Sequence, residues 1–88
     1  MTDKITCNGV TAIPHPLQPC PSNQRLWIVR HGAAEFLRVT SKGRLVPETF
    51  IFEADSGGVI TNWRELPGSY GGARSHEEAI RAHIETLG

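Results

Sequence analysis

Six residues carry the donor atoms of a transition-metal site: Cys7, His15 and Cys20 in the first quarter of the chain, and His31, His76 and His83 beyond it. Thiolate and imidazole are the donors of tetrahedral zinc centres. Such centres place ligands in close pairs, as in C-x2-C, whereas twelve residues with prolines among them separate the two cysteines. The spacing assigns no zinc, and no metal or other cofactor is expected. Two cysteines are also too few for a disulfide framework, so reduced thiols are the default and a Cys7–Cys20 bridge stays open. Gly71-Gly72-Ala73-Arg74-Ser75 precedes a helix start, where free N–H groups attract anions, but Glu77 and Glu78 already fill that field. Asp55-Ser56-Gly57-Gly58 lacks the repeated acidic positions and closing Glu of a calcium loop and reads as a hairpin turn.

Leu26-Trp27-Ile28-Val29-Arg30-His31-Gly32 resembles the strand-then-R-H-G signature of the histidine phosphatase superfamily. The resemblance implies His31 as a phosphorylated nucleophile and Arg30 as a phosphate ligand, with imidazole attacking phosphorus and a guanidinium fork neutralising its oxygens. It covers one short segment. That family has a doubly wound α/β domain about twice this length, with a second His, a second Arg and an acid far downstream. After Gly32 the sequence continues as another strand-like segment, and 56 residues remain. Read from the residues alone, Arg30 and His31 close a strand and enter a turn, and no catalytic residue is assigned.

Nine Lys plus Arg balance nine Asp plus Glu, with no block of like charge, so the electrostatic footprint of a nucleic-acid binder is missing. Trp27, Phe36, Phe50, Phe52, Trp63 and Tyr70 are the aromatic residues, and on an uncovered sheet face they would form a stacking platform. A nucleic-acid module would use them with Arg25, Arg30, Arg38, Lys42 and Arg44. No run approaches the ~20 apolar residues of a membrane span, and Met1 to Asn8 lacks the pattern of a secretory signal, so a cytoplasmic protein is expected.

Eighty-eight residues suit one core, burying roughly 60 to 65% of the unfolded chain's surface. Residues 1–24 hold Pro14, Pro16, Pro19 and Pro21 and read as a Pro-rich arm without regular structure. Residues 25–88 read as a single α+β domain. Arg25 to His31 and Glu35 to Thr40 are rich in β-branched and aromatic residues around Gly32, which predicts a first hairpin. Leu45 to Ala54 and Val59 to Leu66, around the Asp55–Gly58 turn, predict a second. In the former, Phe50 and Phe52 share one face while Thr49, Ile51 and Glu53 share the other.

Ser75-His76-Glu77-Glu78 predicts a helix start. The Ser75 hydroxyl accepts from the Glu78 N–H, and the Glu78 carboxylate reaches back to the N–H of Ser75. Ile80, Ile84 and Leu87 then fall on one stripe, with His83 on the same side and His76 a repeat earlier. The sum is an α+β fold: a three- to four-stranded antiparallel meander with one C-terminal helix on one face. The other face is solvated, covered by the arm, or used against another chain.

From Glu48 onward the chain reads E-T-F-I-F, an acidic-Gly turn, V-I-T-N-W-R-E-L, a Tyr- and Gly-containing loop, then S-H-E-E-A-I-R-A-H. This resembles small phage- and prophage-encoded proteins of unassigned activity, of the form E-T-M-V-F, D-x-x-G-x-V-x-x-W-x-E-L, Y-x-T-x-E-E-A-x-x-G-H. The match runs from Glu48 to His83 and includes Trp63, Glu65, Leu66, Tyr70, Glu77, Glu78, Ala79 and His83. It departs at Ile51, where the pattern has Val, and at Ala82, where it has Gly. The resemblance implies a mobile-element origin in a bacterial host and a strand-strand-helix unit. The expectation is a non-enzymatic accessory protein acting on an unknown protein partner, with a homodimer open and Trp27, Phe36, Trp63 and Tyr70 as the candidate interaction surface.

Overall fold

The computed structural model describes residues 4–18, 21–43, 45, 48–66 and 73–87. Six strands, β1 (Ile5–Cys7), β2 (Val10–Pro14), β3 (Gln24–His31), β4 (Ala34–Lys42), β5 (Thr49–Ala54) and β6 (Ile60–Asn62), precede one helix, α1 (His76–Leu87). The strands form a single antiparallel sheet in chain order, so every connection is a hairpin. The expected meander is present, but with six strands rather than three or four.

The two additional strands lie in the stretch expected to be an irregular arm, and the turn between them explains why. Asn8 and Gly9 both have positive φ, 51° and 82°, the pattern of a type I′ turn whose twist matches the strands it joins. Cys7 opposes Val10 and Ile5 opposes Ala12, which sends all four side chains to one face. Proline does not intrude, because Pro14 is the last residue of β2 and the other prolines lie beyond it. Past Pro14 the pairing is continued by a side chain: Gln18 Oε1 accepts from the Leu26 N–H at 3.0 Å and Gln18 Nε2 donates to the Leu26 carbonyl at 3.0 Å. A carboxamide thus stands in for a strand neighbour where the chain itself has left the sheet.

The β3–β4 hairpin forms as expected, with His31 opposite Ala34 and Gly32 at φ 60° as first central residue of the turn. The second strand of the next hairpin is shorter than expected. It stops at Asn62, whose Oδ1 accepts the N–H of Arg64 at 3.1 Å, so the side chain competes with the ladder and turns the chain. Leu66 then returns to β5, its N–H donating to the Ile51 carbonyl at 3.0 Å.

On one face α1 seals the sheet. Ile80 and Ile84 are fully buried against Ile5, Val10, Ala12, Trp27, Val29 and Ile51, with Leu87, Phe36, Leu66 and Cys7 partly buried around them. The expected stripe is therefore the packing stripe, and each buried isoleucine contributes about 1.5–3 kcal/mol by burial. The helix starts at its serine cap: the Glu78 N–H donates to Ser75 Oγ at 3.1 Å. The returning carboxylate accepts from the N–H of Arg74 at 2.7 Å, one residue beyond the expected Ser75. On the opposite face Leu26, Val39 and Phe52 lie side by side in neighbouring strands and are buried without a helix above them.

Ile80→Ala is expected to lower unfolding free energy by about 2–5 kcal/mol in urea, because it leaves a cavity under the helix. A Cβ on Gly9 meets nothing within 4 Å, so Gly9→Ala is expected to cost only the backbone penalty of about 1–2 kcal/mol. A cost near zero contradicts the I′ turn.

Candidate functional site

Arg30 and His31 occupy consecutive positions at the end of β3, so their side chains leave on opposite faces of the sheet. Arg30 Nε donates to Glu35 Oε2 at 2.8 Å across the hairpin, with more than half of each side chain exposed. His31 is exposed beside the turn. The two residues of the R-H-G segment are adjacent in sequence and not convergent in space.

The thiol and imidazole candidates are scattered as well. Cys7 is a half-buried free thiol on β1, while Cys20 lies outside the described residues. His15 Nδ1 accepts the N–H of Leu17 at 3.0 Å within the β2–β3 connection. Among the described residues no group of three or more His, Cys, Asp or Glu is placed to hold a metal ion. Asp55 organises its own turn, its Oδ1 accepting from the N–H of Gly57 at 2.9 Å and of Val59 at 3.0 Å.

His76 and His83 pin α1 to the sheet. His76 Nδ1 is joined to Thr40 Oγ1 at 2.8 Å, and Thr40 also accepts from Trp27 Nε1 at 2.9 Å. Beside this chain Arg25 pairs with Glu77 at 3.0 Å. Burial lowers the His76 pKa from its ordinary value, the Arg25 charge and then that of Lys42 lower it further, and Glu77 and the Thr40 contact work against them. His83, only 2% exposed, receives a hydrogen bond from Arg38 Nε at 3.3 Å, so its Nε2 is unprotonated. The Arg38 guanidinium also lies 4.3 Å from the Phe36 ring centroid. Burial lowers the Arg38 pKa, and Glu53 opposite it on β5 acts the other way. The hydroxyl of Thr49 is buried with no hydrogen-bond partner among the described residues.

The candidate aromatic surface divides. Trp27 is fully buried beneath α1, and Phe36 is half-buried on the same side. Trp63 stands 69% exposed, its ring 5.3 Å from that of Phe52 at 58°, which belongs to the helix-free face. Tyr70 lies outside the described residues. The basic residues are dispersed too: Arg25 and Arg30 are ion-paired, Arg38 is under the helix, and Arg44 lies outside the described residues.

A feature the sequence reading missed lies around Trp63. The β2–β3 connection, through Pro21, and the β5–β6 turn, through Gly57 and Val59, meet over the helix-free face and enclose a cleft of about 330 Å³. Gln24, Gly58, Ile60 and Trp63 complete it, and among the described residues no charged side chain lines it. A smaller cleft of about 210 Å³ lies between Pro14, His15, Gln18 and Arg25. The Trp63 cleft joins segments more than thirty residues apart, and no local motif announces it. No helix among the described residues is long and apolar enough to cross a membrane.

Compared with known protein families, with characterised proteins and with solved structures, the chain matches none.

The lowered His76 pKa gives a pH dependence with a definite sign. The unfolded chain releases this proton near the ordinary value of 6.5 and the folded chain at lower pH. Between the two the unfolded state holds more protons, so stability rises with pH up to about 6.5 and flattens above it. Urea midpoints recorded across this range are expected to lose part of that slope in His76→Gln. An unchanged slope would show that His76 does not titrate as described.

Proposed function

We propose that this is a small non-enzymatic interaction protein of phage or prophage origin, acting in the host cytoplasm through the helix-free face around Trp63. The observation that carries the reading is the large exposed indole, fixed against Phe52 at the mouth of an uncharged cleft on the face α1 does not cover. Large apolar side chains exposed beside a formed cleft mark binding surfaces more often than solvent-facing ones. The resemblance over Glu48–His83 supports a mobile-element origin, and Trp63 is among its matched residues. The unknown protein partner would sit on this face, and a second copy of the chain is one such partner.

The other readings have less in their favour. Phosphotransfer through His31 and Arg30 needs the two to converge on one phosphate, and they diverge. Single-stranded nucleic-acid binding needs a basic surround, whereas Arg25 and Arg30 are each held by a carboxylate.

Host lysate passed over the immobilised chain and over its Trp63→Arg variant tests the reading. Proteins held by the parent and lost by a variant of unchanged circular dichroism are expected. Identical retention by both would overturn the assignment of this face, and sedimentation of the free chain reports whether the partner is a second copy.

A further inference from the structure

The chain has three asparagines, and their surroundings differ in ways that govern how long a side-chain amide survives in water. Asn23 Nδ2 donates to the Lys42 carbonyl at 3.2 Å, and the residue after it is Gln24. Asn62 is held at both ends of its carboxamide, Oδ1 accepting from the Arg64 N–H and Nδ2 donating to Glu53 Oε2 at 3.4 Å, and the residue after it is Trp63. Asn8 is exposed, and its carboxamide makes no hydrogen bond among the described residues. Gly9 follows, also exposed, and its N–H is equally without a partner among them. The I′ turn explains this: the ladder uses the backbone groups of the flanking pair, Cys7 and Val10, and leaves the second central N–H to water.

We propose that Asn8 is a modification site, its carboxamide being lost through attack by the Gly9 nitrogen. That nitrogen adds to Asn8 Cγ; as the N–Cγ bond forms the Cγ–Nδ2 bond breaks, and ammonia leaves with the proton that Gly9 gives up. Water then opens the cyclic imide. Cleavage at Cγ gives aspartate, whereas cleavage at the main-chain carbonyl gives isoaspartate, whose backbone runs through Cβ and Cγ. The net exchange is one water taken up for one ammonia released, with nothing oxidised or reduced. Glycine obstructs the attack least, since no Cβ stands beside the nitrogen. The turn sets the timing. In the I′ conformation the Gly9 nitrogen points away from Asn8 Cγ, so ring closure waits for the turn to unwind. β1 keeps that opening accessible, because it is three residues long and lies at the edge of the sheet with β2 as its one neighbour. Asn8 is thus a one-way chemical record of how often this hairpin opens.

The two products act differently on the fold. Aspartate keeps the length of the turn and tolerates a positive φ. Isoaspartate adds a main-chain atom to a two-residue turn, so Cys7 opposite Val10 and Ile5 opposite Ala12 lose their register, Ile5 leaves the core and the outer edge of β2 is bared.

The test incubates the full chain in mildly alkaline buffer, folded and in parallel unfolded in urea, and follows each asparagine by peptide mass spectrometry with fragment ions that separate aspartyl from isoaspartyl. In the folded chain Asn8 is expected to convert at least about tenfold faster than Asn23 or Asn62, a difference of about 1.4 kcal/mol in activation free energy. It should convert more slowly than in urea. The isolated isoaspartyl form is expected to lose amide-exchange protection at Cys7 and Ala12 while Trp27 and Val29 keep theirs, and Asn8→Asp is expected to keep protection at all four. Conversion at Asn23 or Asn62 as fast as at Asn8, or no conversion at Asn8 in the folded chain, overturns the proposal. Conversion as fast in the folded chain as in urea overturns the control by the turn, and intact protection at Cys7 and Ala12 in the isoaspartyl form overturns the loss of β1.

Discussion

The structure depends on one helix being held flat against a sheet that is wider than the helix is long. Twelve residues at about 1.5 Å rise span about 18 Å, whereas six strands spaced by about 4.8 Å span about 24 Å. Apolar contact through Ile80 and Ile84 fixes the separation of the layers but says little about the helix's rotation or direction, because isoleucine contacts are non-directional. The polar contacts supply direction. His76 on Thr40 and Glu77 on Arg25 fix the first turn, and His83 under Arg38 fixes the middle. Thr40 reaches through to the indole of Trp27, so the largest core side chain and the start of the helix are tied to one hydroxyl.

That arrangement places cationic and titratable groups at the layer boundary, where burial weakens their charged forms. Arg38 keeps its charge there through the Phe36 ring face, the His83 nitrogen and Glu53. Burial lowers the His76 pKa, and of the charges near it Arg25 and Lys42 lower it further while Glu77 acts the other way. These groups resemble a site when read as residue types, since histidine, arginine and threonine gather within a few ångströms. Trp27, Thr40, His76, Arg38 and His83 bond to one another, and Thr40 and Arg38 also reach backbone carbonyls, which is the pattern of a pinned interface.

How much of this was legible follows the range of each signal. The helix was readable because its cap, its acidic first turn and its isoleucine spacing are all local and all agree. The β3–β4 hairpin was readable for the same reason. The β1–β2 hairpin carried an equally local signal, Asn8-Gly9 between I-T-C and V-T-A, but the cluster of prolines that follows outweighed it. Those prolines begin where β2 ends, and position rather than number decides what a proline disrupts. Trp27 and Trp63 show the limit. Both lie in apolar, strand-like sequence, yet one is buried under α1 and the other faces solvent, because parity in the sheet and the turn after Asn62 are settled by pairing partners far away in the chain.

The two faces of the sheet are closed by different means. Covalent continuity, a cap and three polar pins hold α1 on the first face, so opening it would expose Trp27 and break every pin together. On the second face Leu26, Val39 and Phe52 are buried, and Trp63 leans on Phe52 with most of its surface in water. The β5–β6 turn is tied to itself through Asp55, whereas the β2–β3 connection is tied to the sheet through Gln18 on Leu26 and Asn23 on Lys42. Arg25, Arg30 and Arg38 are held in contacts across strands and helix, and none of them lines the cleft beside Trp63.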